Sequence, residues 1–231
     1  MSAAIGSAGS AYVVVPDRGT GPGVLVLHAW WGLTPFFHDV CDRLADAGFV
    51  AVAPELHGDG QTAETPDEAE ALLAATDPNL TASLVVSSIS ALRAMPATPS
   101  GPIGILGYSM GASWGLWAAA RFPDDVGAVS AFYGGQDIDF STAKAAFQGH
   151  FAEHDEFESE DATNYLEAQL RLCGHRVEFH RYPGTGHWFA ESDRPAAYVP
   201  EAADVAWERT IEFLHRTLDV DDGPEGPAPD Q

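Results

Sequence analysis

Lysine is nearly missing from this chain. A single one, Lys144, stands among 231 residues; lysine and arginine together number 11 against 34 aspartates and glutamates, a net charge of −23. A field of that sign repels the phosphates of nucleic acid and anionic membrane surfaces, so neither is expected as a partner. The same acidity keeps a chain in solution and suits a salt-rich cytosol. Cysteine is scarce too. Cys41 and Cys173 both fall on predicted helices, without the spacing of a disulfide framework or a metal motif. That points to reduced thiols, a cytoplasmic setting and no bound metal. No apolar run approaches the ~20 residues of a membrane span. Residues 1–10 are small and carry no basic side chain, so they lack the charged start of a signal peptide.

Apolar residues are plentiful, at 45% of the chain, enough for the core of one large α/β domain. Strand-like and helix-like stretches alternate. Apolar runs at 12–16, 24–27, 49–53, 103–106, 126–133, 145–152 and 177–182 read as strands. Helices are expected over 36–47, from Thr65-Pro66 onward, 81–94, from Ala112 to about Phe122, 161–173 and 202–218. Alternation of this kind predicts a mostly parallel central sheet covered by helices on both faces. The longest strand-free segment, between Glu55 and Gly101, is filled by two helices, leaving no room for a cap domain. The expected organisation is one domain over 1–218 and an acidic, Pro/Gly-rich disordered tail over 219–231.

The chain is organised around residues 101–121. There Gly107-Tyr108-Ser109-Met110-Gly111 lies between an apolar strand and a small-residue helix. Gly-x-Ser-x-Gly in a strand–turn–helix setting is the pattern of a nucleophile elbow. The motif alone is weak in a chain with 23 glycines; the flanking strand and helix give it weight. A serine hydroxyl attacks only when a base takes its proton. Of nine histidines, His187 is best placed, following the last strand on the loop Pro183-Gly184-Thr185-Gly186. His38, His57, His150, His154, His175, His180 and His215 read as surface or edge residues. An acid must orient the base. Asp155 follows one strand and Asp137 the preceding one, and position alone leaves both open; Glu153 and Glu158 read as part of a solvated acidic run. Two donors are needed for an oxyanion. The expected pair is the N–H of Met110 and, from the loop that begins at His28, the N–H of Trp30. Aromatic residues near these loops, Trp31, Phe36, Trp188 and Phe189 among them, are candidates for an apolar substrate pocket, as are Phe37 and Trp114. About half of the aromatic set is expected to face the cleft.

Taken together, the segments His28-Ala29-Trp30-Trp31-Gly32-Leu33, Val52-Ala53-Pro54-Glu55-Leu56, Gly107–Gly111, Phe151-Ala152-Glu153-His154-Asp155 and Tyr182–Phe189 resemble the dienelactone hydrolase family. The resemblance implies a compact, lidless, cofactor-free α/β-hydrolase acting on esters or lactones; a small-molecule substrate and a monomer or small homo-oligomer are expected. It favours the order Ser109, Asp155, His187 as the catalytic set. Three positions depart from the family pattern. Ser109 stands where cysteine is usual, with Ala112 in place of a second glycine. Ala29 stands where the type enzymes carry a glutamate. Glu191 stands where they carry an arginine that helps hold the substrate carboxylate. These departures imply a general serine carboxylesterase preferring neutral substrates, with Arg194 as an alternative partner for a carboxylate. Acyl transfer or thioester cleavage would use the same three residues; a binding protein on this fold would not need them.

Overall fold

The structure, a computed structural model, describes residues 10–58 and 60–218, and the backbone of 2–4. The expected tail over 219–231 lies outside the described residues. Eight strands form one sheet: β1 (Ser2–Ala4), β2 (Ser10–Val14), β3 (Gly23–Leu27), β4 (Val50–Pro54), β5 (Ile103–Tyr108), β6 (Val126–Phe132), β7 (Ala146–His154) and β8 (Val177–Gly186). Their spatial order is β1-β2-β4-β3-β5-β6-β7-β8. β1 and β2 are antiparallel to their neighbours, and every pair from β4 to β8 is parallel.

Parallel strands buried on both faces read as continuous apolar runs, and β3, β4 and β5 are buried at every position. The period of two still assigns sides. Leu25, Leu27, Val50 and Val52 pack into one core with Val85, Ile89 and Leu116. Val24, Val26, Ala51 and Ala53 pack into the other with Phe37, Leu44, Phe213 and Leu214. Helices α3 (Pro78–Arg93), α4 (Met110–Arg121) and α5 (Glu160–Leu172) thus cover one face, and α1 (Pro35–Asp46) and α6 (Pro200–Leu218) the other. Helix α2 (Pro66–Ala75) fits the signal at Thr65-Pro66: the Thr65 hydroxyl accepts from Glu68 N–H, the Glu68 carboxylate accepts from Thr65 N–H, and proline opens the first turn.

Some boundaries move, for local reasons. β1 was invisible in a stretch of small residues. α3 begins three residues earlier than expected, at Pro78, because Asp77 accepts from Asn79 N–H and caps it. β8 runs on through Pro183 to Gly186, where the glycine-rich segment was expected to be loop. It is an edge strand, which tolerates a proline, and its pairing with β7 shifts register between Ala152 and His154. That irregularity sits just before Asp155. His57 and His150 are not surface residues. Both are buried, because each finds hydrogen-bond partners inside: His150 meets the Tyr182 hydroxyl and Gln148, and His57 meets Thr76 and the Trp30 carbonyl.

Candidate active site

β5 ends at Tyr108, α4 begins at Met110, and Ser109 makes the whole turn between them with φ 50° and ψ −114°. A non-glycine residue in that region is strained by ~1–3 kcal/mol and persists only where its surroundings hold it. The holding contacts are visible. Ser109 N–H donates to Phe132 O at 2.9 Å, and Ser109 O accepts from Ala112 N–H at 2.9 Å. The glycines of the motif have steric reasons. A Cβ on Gly107 would sit 2.5 Å from Gly111 O, and one on Gly111 would run into the Leu27 carbonyl at the end of β3. Among the described residues two other non-glycine ones have positive φ, Tyr133 at 37° and Trp188 at 64°. Both lie against His187, their rings 4.9 Å from its own. Backbone strain in the described chain therefore collects around one imidazole.

His187 follows β8 and reaches across to β5. Its Nε2 lies 2.9 Å from Ser109 Oγ, and its Nδ1 lies 2.8 Å from both oxygens of Asp155. A carboxylate only accepts, so Nδ1–H donates to Asp155 and the Nε2 lone pair faces the serine hydroxyl. Both side chains are nearly sealed from water, at 5% and 3% exposure. Burial works against ionisation of Asp155. The His187 hydrogen bond and charge, with the N–H groups of Glu158 and Phe157 donating to Oδ1, outweigh it and hold the carboxyl below its ordinary range. Asp137, the alternative acid, is exposed beyond β6, while both ring nitrogens of His187 are taken by Ser109 and Asp155. Glu153 accepts from Gly184 N–H and Glu158 from Gly135 N–H, so both brace the loops around the site.

Ser109 and His187 open into a cleft of about 620 Å³ walled by Trp30, Trp114, Trp117, Phe157 and Trp188. Its other polar lining is Ser113 and Gln136, and among the described residues no lysine or arginine lines it. Of the expected pocket residues, Trp188 lines the cleft, as do Trp30 and Trp114. Trp31, Phe36 and Phe189 do not. Phe36, with its neighbour Phe37, packs edge-on against Tyr108 on the opposite face of the sheet. Phe189 is fully buried against Tyr133 and Tyr182. Trp31 turns inward under the guanidinium of Arg194, which sits 4.0 Å over its ring. Trp117 and Phe157 were missed. Met110, Ser113, Trp114 and Trp117 fall at i, i+3, i+4 and i+7 of α4, a single helix stripe that the sequence does display.

The model of the dienelactone hydrolase family matches residues 10–218 of this framework. The chain belongs to that family. Among its relatives, protein usf of Aquifex pyrophilus is 32% identical over 216 residues, covering 90% of this chain and 93% of that one. Carboxymethylenebutenolidase of a Pseudomonas species is 29% identical over 224 residues, covering 89% of each. A dienelactone hydrolase-like promiscuous phosphotriesterase from metagenomic libraries superposes with a TM-score of 0.82, covering 94% of this chain and 96% of that one. At 18% identity that likeness speaks for the fold alone.

In this member of the family, the loop holding Trp30 is tied down from beneath. His28 is fully buried, and its Nε2 accepts from Leu56 N–H at 2.9 Å, so its Nδ1–H donates to Ala29 O. Burial drives its pKa down to about 3, and it is a neutral strut between the ends of β3 and β4. The buried Glu55 carboxylate accepts from the N–H groups of His57, Gly58 and Gly60. His57 Nε2–H in turn donates to the Trp30 carbonyl at 3.1 Å, which fixes that peptide.

Glu191 does not reach the cleft. It is fully buried behind His187 and accepts from the Tyr133 hydroxyl at 2.9 Å. Arg194 is also turned away, donating to the carbonyls of Ala63 and Glu64. Burial pushes the Glu191 carboxyl up from 4.5 to about 8; Asp193 adds to the rise, while Tyr133 and Arg194 oppose it. The folded chain thus keeps a proton that the unfolded chain loses, and between those two values stability falls as pH rises. Glu191→Gln removes this titration and keeps an acceptor for Tyr133. Relative to the parent, the variant is expected to gain on the order of several kcal/mol between pH 5 and pH 9, read from denaturant midpoints. Equal pH dependence in the two proteins would contradict this account of Glu191.

Proposed function

We propose that this protein is a serine hydrolase that cleaves carboxylic esters or lactones through an acyl-enzyme on Ser109. The observation that carries the reading is the continuous hydrogen-bonded line Asp155–His187–Ser109 at the floor of an aromatic cleft. His187 Nε2 takes the hydroxyl proton as Ser109 Oγ bonds to the carbonyl carbon. Asp155 holds the imidazole in the required tautomer and stabilises it once charged. The oxyanion is assigned to the N–H groups of Met110 and Trp30, neither of which has an acceptor among the described residues. His187 returns the proton to the departing alcohol. Water, deprotonated by the same nitrogen, then attacks the acyl-enzyme, releasing the acid and restoring Ser109. Membership of the dienelactone hydrolase family, and a relative named carboxymethylenebutenolidase, support ester and lactone substrates.

The cleft offers a substrate carboxylate no cation, and an unpaired charge in an apolar site is costly. A neutral phenyl ester is therefore expected to exceed a carboxylated dienelactone in kcat/KM by roughly ten-fold or more at both low and high salt. Matched phenyl ester, lactone, thioester and anilide substrates test the reaction class. Ester or lactone cleavage should lead. Faster thioester cleavage, acyl transfer to an added acceptor, or a clear preference for the carboxylated lactone would overturn the corresponding part of the reading.

A further inference from the structure

We infer that the preferred substrates are esters bearing a quaternary ammonium group, of the choline-ester type, an inference that rests on the ester-cleaving reading of Ser109. Five aromatic side chains wall the cleft, with Leu73 and Met110 as its aliphatic lining. A merely apolar substrate is served equally well by aliphatic walls. An aromatic wall adds something aliphatic groups lack, the negative quadrupole of the ring faces, which attracts a cation. Trp30, Phe157 and Trp188 form one mutually packed group, with centroids 5.2 to 5.8 Å apart. Trp114 and Trp117, at 5.3 Å from each other, belong to helix α4.

Among the described residues no basic side chain lines the cleft, Arg194 lying behind Trp31 and turned to the Ala63 and Glu64 carbonyls. Beyond Gln136, which the two share, the cleft adjoins a second pocket lined by Asp137, Glu158 and Asp161, again without a basic residue. The chain as a whole carries −23. Such a field raises the local concentration of cations at the mouth and the rate at which they arrive. The chemistry of the walls also selects the kind of cation. A primary ammonium entering between aromatic rings would leave three N–H donors short of acceptors. A quaternary ammonium has no N–H to strand, and its methyl groups make apolar contact with the same rings that attract its charge. The reaction is the ester cleavage described above, with the amino alcohol leaving and carrying the proton from His187.

The test compares acetylcholine with 3,3-dimethylbutyl acetate, its neutral twin with carbon in place of nitrogen. The cationic ester is expected to lead in kcat/KM by about ten-fold at low salt and to keep a several-fold lead at high salt, because contact with the rings is not screened as the distant field is. Trp117→Leu and Phe157→Leu should each lower the ratio. Phe157 is 53% exposed, so its replacement spares the core if the Trp117 variant folds poorly. Binding of phenyltrimethylammonium, followed by tryptophan fluorescence, gives a readout independent of turnover. Saturable binding without cleavage of any ester would place the cation in the cleft but overturn the substrate assignment together with the ester-cleaving reading. Equal kcat/KM for the two twins, or a lead that vanishes at high salt, would overturn the inference and leave ester cleavage standing.

Discussion

Ser109→Ala is expected to lower kcat by on the order of 10⁴-fold or more while leaving the fold in place. The Ser109 hydroxyl lies 2.9 Å from His187 Nε2, and the other ring nitrogen is already engaged by the Asp155 carboxylate. Alanine removes that atom and little else. The strained turn at φ 50° is held by backbone hydrogen bonds to Phe132 and from Ala112, which the substitution does not touch. Residual activity should come from the N–H groups of Met110 and Trp30 and from the cleft itself. Turnover of a neutral phenyl ester, together with the thermal midpoint, checks this. A loss of less than ten-fold in a folded variant would mean that another group attacks the carbonyl.

Asp155→Asn is expected to cost about as much, around 10⁴-fold in kcat, by a different route. The amide can still accept from Phe157 and Glu158 N–H at Oδ1, so the loop keeps its shape. Its NH₂ group, however, donates toward His187 Nδ1. The imidazole then moves its proton to Nε2 and can no longer accept from Ser109. Asp137→Asn, on an exposed side chain that makes no hydrogen bond to His187, should change kcat less than two-fold. The two variants measured side by side discriminate between the acids. A crippled Asp137→Asn with a nearly silent Asp155→Asn would reverse the assignment.

Much of the framework was legible because it rests on local rules. Strand β3 is an apolar run ending in a loop, and α2 announces itself through Thr65-Pro66 and Glu68. The elbow was legible because two glycines flank a serine where a Cβ has no room. His187 was legible from its place after the last parallel strand. Between Asp155 and Asp137, position alone did not decide; the side chains differ in the register shift that ends β7, which no local pattern encodes. The walls of the cleft were read least well. Trp31 and Phe189 neighbour Trp30 and Trp188 in sequence, yet consecutive side chains in these turns point in opposite directions, one to the cleft and one to the core. Phe157 was hidden in a run of acids that read as solvated. The buried histidines His57 and His150 depend on partners 19 to 60 residues away, Thr76, Trp30, Tyr182 and Thr210, and burial of that kind leaves no local trace.

The identity of the nucleophile can be read directly by treating the protein with a fluorophosphonate and locating the adduct by mass spectrometry. The account predicts one adduct per chain, on the peptide holding Ser109, lost in Ser109→Ala and formed slowly in Asp155→Asn. An adduct on another residue, or an enzyme that stays active and unlabelled, would contradict it.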